Sequence, residues 1–245
     1  MTEPLELDDF LRWQPPKLVP IIDKGLMYSG SRVIIYGKYK SLKSMLAIRF
    51  CANITRGLPW LGFATVKSSV MYLQLELPNQ MLQRRIKKMI GLNEKHSPLF
   101  IWTEPSIKID LQDGYDRIEK QVKKFKPDIL VIDPIYKIMS GDMLDTRHVQ
   151  NLVDMIDRLI TECNISVMMV HHTRKGTYEE SGSDDMLGSV IFSAWADSVI
   201  KVERKKDKEI IVKFEVVRHA EEELRPKVMS VDLDKLDFIS TGRSV

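Results

Sequence analysis

A chain of 245 residues, 44% apolar and 29% charged, is long enough to bury one sizeable core and too evenly mixed to be disordered or fibrous. Its formal net charge of +3 is too weak to mark a nucleic-acid surface by itself. Two cysteines, Cys51 and Cys163, each within an apolar-periodic stretch, exclude a disulfide scaffold and fit a reducing compartment, and no apolar run reaches the length of a membrane span.

The opening MTEPLELDDFLRW is acidic and lacks a secretory signal pattern, so a cytoplasmic protein is expected. Pro15, Pro16 and Pro20 make the first residues an arm, over 1–16, leading into one domain over 17–245. RVIIYG (32–37) is a β-branched run expected as a buried strand, and SMLAIRFCANIT behind it has apolar residues at helical spacing. SSVMYLQLE (68–76) predicts a second strand. The helix predicted next, PNQMLQRRIKKMIG, has Pro78 near its first turn and Gly91 at its stop. PLFIWT is a third strand, followed by an amphipathic helix with Tyr115, Ile118, Val122 and Phe125 on one face. PDILVID (127–133) is a strongly apolar strand, TRHVQNLVDMIDRLITEC a long helix and ISVMMVHH another buried strand. Residues 173–188 are polar and glycine-containing, a loop, and SVIFSAWAD is helical. SVIKVERKKDKEIIVKFEVVRH predicts a hairpin turning at KKDK, with short strands at PKVMSVDL and LDFIS. Alternating strands and helices followed by a run of strands predict an α/β fold: a mostly parallel sheet flanked by helices, with an antiparallel C-terminal extension.

Between the first strand and its helix lies GKYKSLKS, residues 37–44. Successive backbone N–H groups running into a helix N-terminus converge on an anion; a lysine then reaches the terminal phosphates and a hydroxyl binds magnesium. Gly37, Lys43 and Ser44 occupy the first, seventh and eighth positions of that pattern. Leu42 stands where the pattern has its second glycine, a position that normally needs freedom in φ. The cradle expected for a nucleotide therefore runs through Gly37, Lys38, Tyr39, Lys40, Ser41, Leu42, Lys43, Ser44 and Met45. The competing reading is a basic surface turn in which Lys38, Lys40 and Lys43 are solvated.

Two carboxylates downstream weigh against the surface turn. Asp133 ends the VID strand, where a magnesium-associated acid belongs, and Glu76 ends the second strand, where an acid can polarise a water. Either acid can also be an ordinary helix cap, more readily Glu76 than Asp133.

With these motifs in order, residues 17–230 resemble the RecA-like P-loop motor ATPases, specifically the branch of RepA- and DnaB-like hexameric helicases. KLVPIIDKGLMYSGSRVIIYGKYKSLKSMLA is similar to that branch's entry to its Walker A loop. MYLQLELPNQMLQRRI is similar to the segment carrying the catalytic glutamate, DILVIDPIYKIMSGD to the Walker B strand, and VMMVHHTRKG to the γ-phosphate sensor motif. The resemblance implies ATP and Mg2+ as cofactors. It implies phosphate binding by Lys43, a metal site at Ser44 and Asp133, Glu76 as the base, and His172 rather than His171 as the sensor. Arg218, in FEVVRHAEEELRP, resembles an arginine finger that reaches the nucleotide of a neighbouring subunit, which implies a homo-oligomer, six-membered in that branch. Leu42 is the departure from the family pattern and puts efficient hydrolysis in question.

In such rings two central loops hold single-stranded DNA. They map here onto 137–148, with Lys137 and Arg147, and 173–188, with Arg174 and Lys175. Both loops also carry acids, and neither shows the aromatic interleaving of a stacking platform. The denser basic runs, QRRIKKM and ERKKDK, read as a solvated helix face and a hairpin turn. The expected function is a DNA-directed motor ATPase, a replicative helicase of a phage, plasmid or mobile element. The alternatives are a single-strand annealing or recombination ATPase on the same fold, and a nucleotide-gated loader or regulator without unwinding.

Overall fold

A computed structural model of the chain describes residues 4–15, 17–90, 97–173, 189–205 and 208–244. The acidic arm carries a short helix, α1 (Leu7–Arg12), none of whose residues is buried. Two short strands, β1 (Pro20–Ile22) and β2 (Met27–Tyr28), pair as a small antiparallel sheet whose Ile21, Ile22, Leu26 and Met27 enter the core. Sequence periodicity does not mark these three elements, which are too short to display a period.

The main body then follows the predicted order. Strand β3 (Arg32–Gly37) runs into α2 (Lys43–Ile54), β4 (Val70–Gln74) into α3 (Asn79–Met89), and β5 (Leu99–Thr103) into α4 (Gln112–Phe125). Strand β6 (Ile129–Asp133) leads through a single 3-10 turn (Ile135–Lys137) into α5 (Thr146–Cys163). After β7 (Ser166–His172) comes α6 (Ser189–Trp195), then β8 (Ser198–Arg204), β9 (Glu209–Val217), β10 (Lys227–Asp232) and β11 (Asp237–Ser240). Gly91, the predicted stop of α3, and residues 206 and 207 of the hairpin turn lie outside the described residues; α3 itself ends in an extended Ile90.

Among the described residues, one nine-stranded sheet has the order β11-β10-β9-β8-β3-β7-β6-β4-β5. The six strands from β8 to β5 are parallel, and β9, β10 and β11 extend them antiparallel. Parallel strands buried on both faces need continuous apolar runs, which is why Ile129–Asp133 is buried at every residue. Alternation sends Val33 and Ile35 to one face, against α2, α3 and the β1–β2 hairpin, and Ile34 and Tyr36 to the other, against α4, α5 and α6. Asp145 begins α5 by accepting the Arg147 N–H at 2.9 Å, and Asn164 ends it in the left-handed conformation at φ 52. Both cysteines are free, Cys51 buried in α2 and Cys163 at the end of α5. Among the described residues, no helix is long and apolar enough to cross a membrane.

The layout matters for chemistry because β3, β4, β6 and β7 all point their carboxyl ends to one edge. In such sheets ligands sit in the crevice outside that edge.

Candidate functional site

The loop leaving β3 turns sharply under β8. A Cβ on Gly37 would stand 2.2 Å from the Val202 carbonyl oxygen, and its φ of +156 strains any other residue, so glycine is required there. Leu42 enters α2 at φ 71 and ψ 18, in the left-handed region. The loop therefore takes the path that a glycine would permit, and the leucine bears the steric cost, about 1–2 kcal/mol for a side-chained residue. Half-buried Leu42 and Met45 pack against the apolar core over α2, which offsets part of that cost.

Lys43, 3% exposed, folds its ammonium back into the loop, donating to the Lys38 carbonyl at 2.8 Å and to Ser41 Oγ at 3.3 Å. Burial lowers its pKa to about 8, against the opposing pull of Asp133 and Glu76. Ser44 Oγ donates to Asp133 Oδ1 at 3.1 Å, and the Tyr72 hydroxyl donates to Asp133 Oδ2 at 2.5 Å. Burial pushes the Asp133 carboxyl up, while the bonds from Tyr72 and Ser44 hold it down.

Glu76 follows β4 and is exposed. Its backbone N–H donates to Gln74 Oε1 at 2.9 Å, and its Oε1 accepts from the Tyr136 hydroxyl at 3.0 Å. His172 ends β7 beside the loop, since Gly37 and His172 are register partners. Its ring lies 6.3 Å from the Tyr39 ring and 5.6 Å from that of Tyr136, and burial followed by the Lys43 charge lowers its pKa. His171 is fully buried on the opposite face against Phe192, and its Nδ1 accepts from the His172 N–H at 2.9 Å.

These side chains line one cavity of about 420 Å³, bounded by residues 39–45 with Gln74, Glu76, Leu77, Arg85, Asp133, His172 and Arg204. It holds Lys43, Ser44, Glu76, Asp133 and His172 together. Gly37 and Lys38 precede the lining residues of the loop, and the Lys38 carbonyl is engaged by Lys43.

The remaining residues singled out in the sequence lie elsewhere. Arg218, just beyond β9, donates to the carbonyls of Ser193, Ala194 and Ala196 at 3.1, 2.8 and 2.9 Å, closing the C-terminal end of α6. Lys137 stands 5.6 Å over the Tyr136 ring. Arg147, exposed at the start of α5, is paired with Asp145 at 2.7 Å. Arg174 and Lys175 lie outside the described residues.

Several polar cavity or near-cavity groups escaped the sequence reading. Tyr72 and Gln74 share the register that leads to Glu76, and the spacing of two in YLQLE was the available signal. Arg85 and Arg204 belong to the two basic runs read as solvated surface; one cation of each run faces the cavity instead.

The donor set suits a magnesium nucleotide. A serine hydroxyl beside a carboxylate supplies hard oxygen ligands, and magnesium shared with phosphates needs one or two protein oxygens rather than a full cage. Among the described residues, no group of three or more His, Cys, Asp or Glu is placed to hold a metal.

Comparison with known proteins agrees with the geometry. A solved ATPase domain matches with a TM-score of 0.66 and 12% identity, over 86% of this chain and 84% of that one. A DnaB-like replicative helicase, solved in a study of its interactions with primase, matches with the same TM-score and identity over 86% of this chain, which spans 57% of that one. At this identity the likeness establishes the RecA-like fold of DnaB-type ATPase domains. No curated protein matches in sequence. The model of the AAA domain family AAA_25 matches residues 1–178, and the chain belongs to that family.

Proposed function

We propose that the protein is an ATP- and magnesium-dependent motor ATPase acting on single-stranded DNA, a replicative helicase of a phage, plasmid or mobile element that works in the cytoplasm as a ring of six copies. The observation that carries this reading is the convergence of Lys43, Ser44, Asp133, Glu76 and His172 on a single cavity at the carboxyl edge of the sheet. Membership of an AAA family and the RecA-like fold support it.

In this reading the N–H groups of residues 38–44 and the start of α2 hold the phosphates. Lys43 turns from the Lys38 carbonyl to the terminal phosphates, and Ser44 and Asp133 hold magnesium. A magnesium ion held there would supply charge neutralisation for the bound phosphates. Glu76 orients and deprotonates the attacking water, and His172 hydrogen-bonds the γ-phosphate edge from β7. Arg85 and Arg204 add positive charge at the rim. Lys137 and Arg147, with Arg174 and Lys175, are the proposed contacts to the strand, their weak individual contributions multiplied around a ring. For Arg218 to serve a neighbour's nucleotide, ring assembly has to release its three carbonyl bonds to α6.

The test is ATP turnover with and without single-stranded DNA, for the wild type, Glu76→Gln and Lys43→Ala. Turnover stimulated by DNA and abolished by both substitutions is expected. Turnover that survives both means that hydrolysis happens at another site.

A further inference from the structure

Tyr136 occupies a junction that the proposed chemistry does not use. Its hydroxyl donates to Glu76 Oε1 at 3.0 Å, and among the described residues no other side chain donates to that carboxylate. Its ring meets the His172 ring edge-on at 5.6 Å between centroids and 67° between planes. The Lys137 ammonium lies 5.6 Å from the centroid of the same ring, within range of a cation–π attraction. The side chain thus touches the proposed base, the proposed γ-phosphate reporter and the first residue of the 137–148 loop.

The backbone around it is pinned. Ile135 and Ile138 are fully buried, and Lys108 Nζ donates to the carbonyls of Lys137 and Met139 at 2.6 and 2.9 Å. Asp110 accepts both the backbone N–H and the hydroxyl of Ser140. Against this fixed turn Tyr136 is 36% exposed, so the part free to move is its side chain, not the loop beneath it. A phenol that donates to a carboxylate fills one of its acceptor sites, stabilises its charge and selects one rotamer of an otherwise exposed side chain. Each of these effects makes Glu76 a poorer base for a water.

We propose that Tyr136 is a positioning residue that restrains Glu76 until a nucleic-acid phosphate draws Lys137 off the Tyr136 ring. Lys137 has one ammonium, and a phosphate is a stronger partner for it than a ring face. Once that face is uncovered the phenol swings away and Glu76 gains its full acceptor capacity. The inference rests on the assignment of Glu76 as base and of 137–148 as a strand-binding loop.

The experiment uses Tyr136→Phe, which keeps the ring against His172 and removes only the hydroxyl. Steady-state kcat and KM for ATP are measured with and without a single-stranded oligodeoxythymidylate. The variant is expected to raise kcat without DNA about tenfold, the size of effect that one charge-assisted hydrogen bond supports, and to leave KM and the DNA-saturated kcat within about twofold of wild type. Stimulation by DNA falls accordingly. An unstimulated kcat equal to wild type overturns the proposal, and so does a loss of DNA-saturated kcat, which would place the hydroxyl in the reaction itself. A wild type indifferent to the oligonucleotide refutes the DNA reading and this coupling together. A wild type that responds, beside a Tyr136→Phe variant that responds equally, refutes the coupling alone.

Discussion

Leu42 in the left-handed conformation is a claim that two substitutions can test. Its φ of 71 and ψ of 18 are comfortable for glycine and cost a side-chained residue about 1–2 kcal/mol. Leu42→Ala keeps that strain and gives up the half-buried contact with the core, worth about 1 kcal/mol if half of a leucine's burial is lost. Leu42→Gly gives up the same contact, relieves the strain and adds roughly 0.5–1 kcal/mol of lost unfolded-chain entropy. The contact loss is common to both, so the pair isolates the backbone: glycine is expected to be more stable than alanine by about 0.5–1 kcal/mol. For a chain of this size that separates the thermal midpoints by roughly 1–4 °C. Midpoints from thermal and urea unfolding measure it, with unchanged m-values confirming that only stability has moved. Because the backbone path already suits a phosphate, a fluorescent ATP analogue should bind Leu42→Gly within about threefold of wild type. An alanine variant as stable as the glycine variant would refute the strained conformation. A gain of more than tenfold in nucleotide affinity on Leu42→Gly would show that the leucine had been distorting the loop.

Gly37→Ala brings a Cβ to 2.2 Å from the Val202 carbonyl at a φ of +156, so it should cost on the order of 3 kcal/mol in denaturant midpoints and lose nucleotide binding with it. Arg49, 7% exposed in α2, donates to the carbonyls of Met89, Lys235 and Leu236 at 3.2 Å each and pairs with Asp237 at 3.1 Å. Arg49→Ala is therefore expected to destabilise by about 3 kcal/mol, read as a lower urea midpoint at unchanged m. Lys43 has a pKa of about 8 in the free protein, and a bound triphosphate favours its ammonium. Nucleotide affinity should be level just below pH 8 and fall up to tenfold per unit above it. Calorimetry in buffers of different ionisation enthalpy should show proton uptake on binding above pH 8, and Lys43→Arg, which stays charged, should flatten the profile.

What the sequence could convey about this molecule follows from the range of the forces involved. The six parallel strands are apolar on both faces and their helices are amphipathic, so local pattern alone separated them, down to Arg32–Gly37 and its following helix. The strand-end positions of the proposed site residues, Asp133 and His172 at the ends of β6 and β7 and Glu76 two residues past β4, were legible for the same reason: once a strand is placed, its carboxyl end is placed. Groups whose role depends on tertiary approach were not legible. Arg85 and Arg204 are indistinguishable in sequence from their solvated neighbours Arg84 and Lys205, and only the tertiary placement of α3 and β8 brings them to the cavity. Tyr136 was visible only as an aromatic near a loop. Its bond to Glu76 spans 60 residues and exists because β4 and β6 are adjacent in the sheet. Arg218, in sequence a charge on a late strand, acquires its three partners from a helix more than twenty residues upstream.

The electrostatics of the cavity explain why a departure at Leu42 need not abolish its purpose. Burial moves the pKa values of Lys43 and Asp133 in opposite directions, lowering the lysine and raising the aspartate, because it disfavours the charged form of each. Their compensation within the free protein is partial: the ammonium has a carbonyl and a hydroxyl for partners, and the carboxylate has two hydroxyls. A triphosphate offers the lysine an anion, and magnesium offers the aspartate a cation. In the proposed function both buried charges would then gain what the fold withheld, and the free energy of binding would draw on that relief as well as on new contacts. The phosphate cradle contributes through backbone N–H groups whose directions are set by dihedral angles, not by the identity of residue 42. If the proposed cradle binds phosphate, a leucine that holds the dihedral angles of glycine leaves that backbone path unchanged, and its cost is expected to fall on stability rather than on recognition.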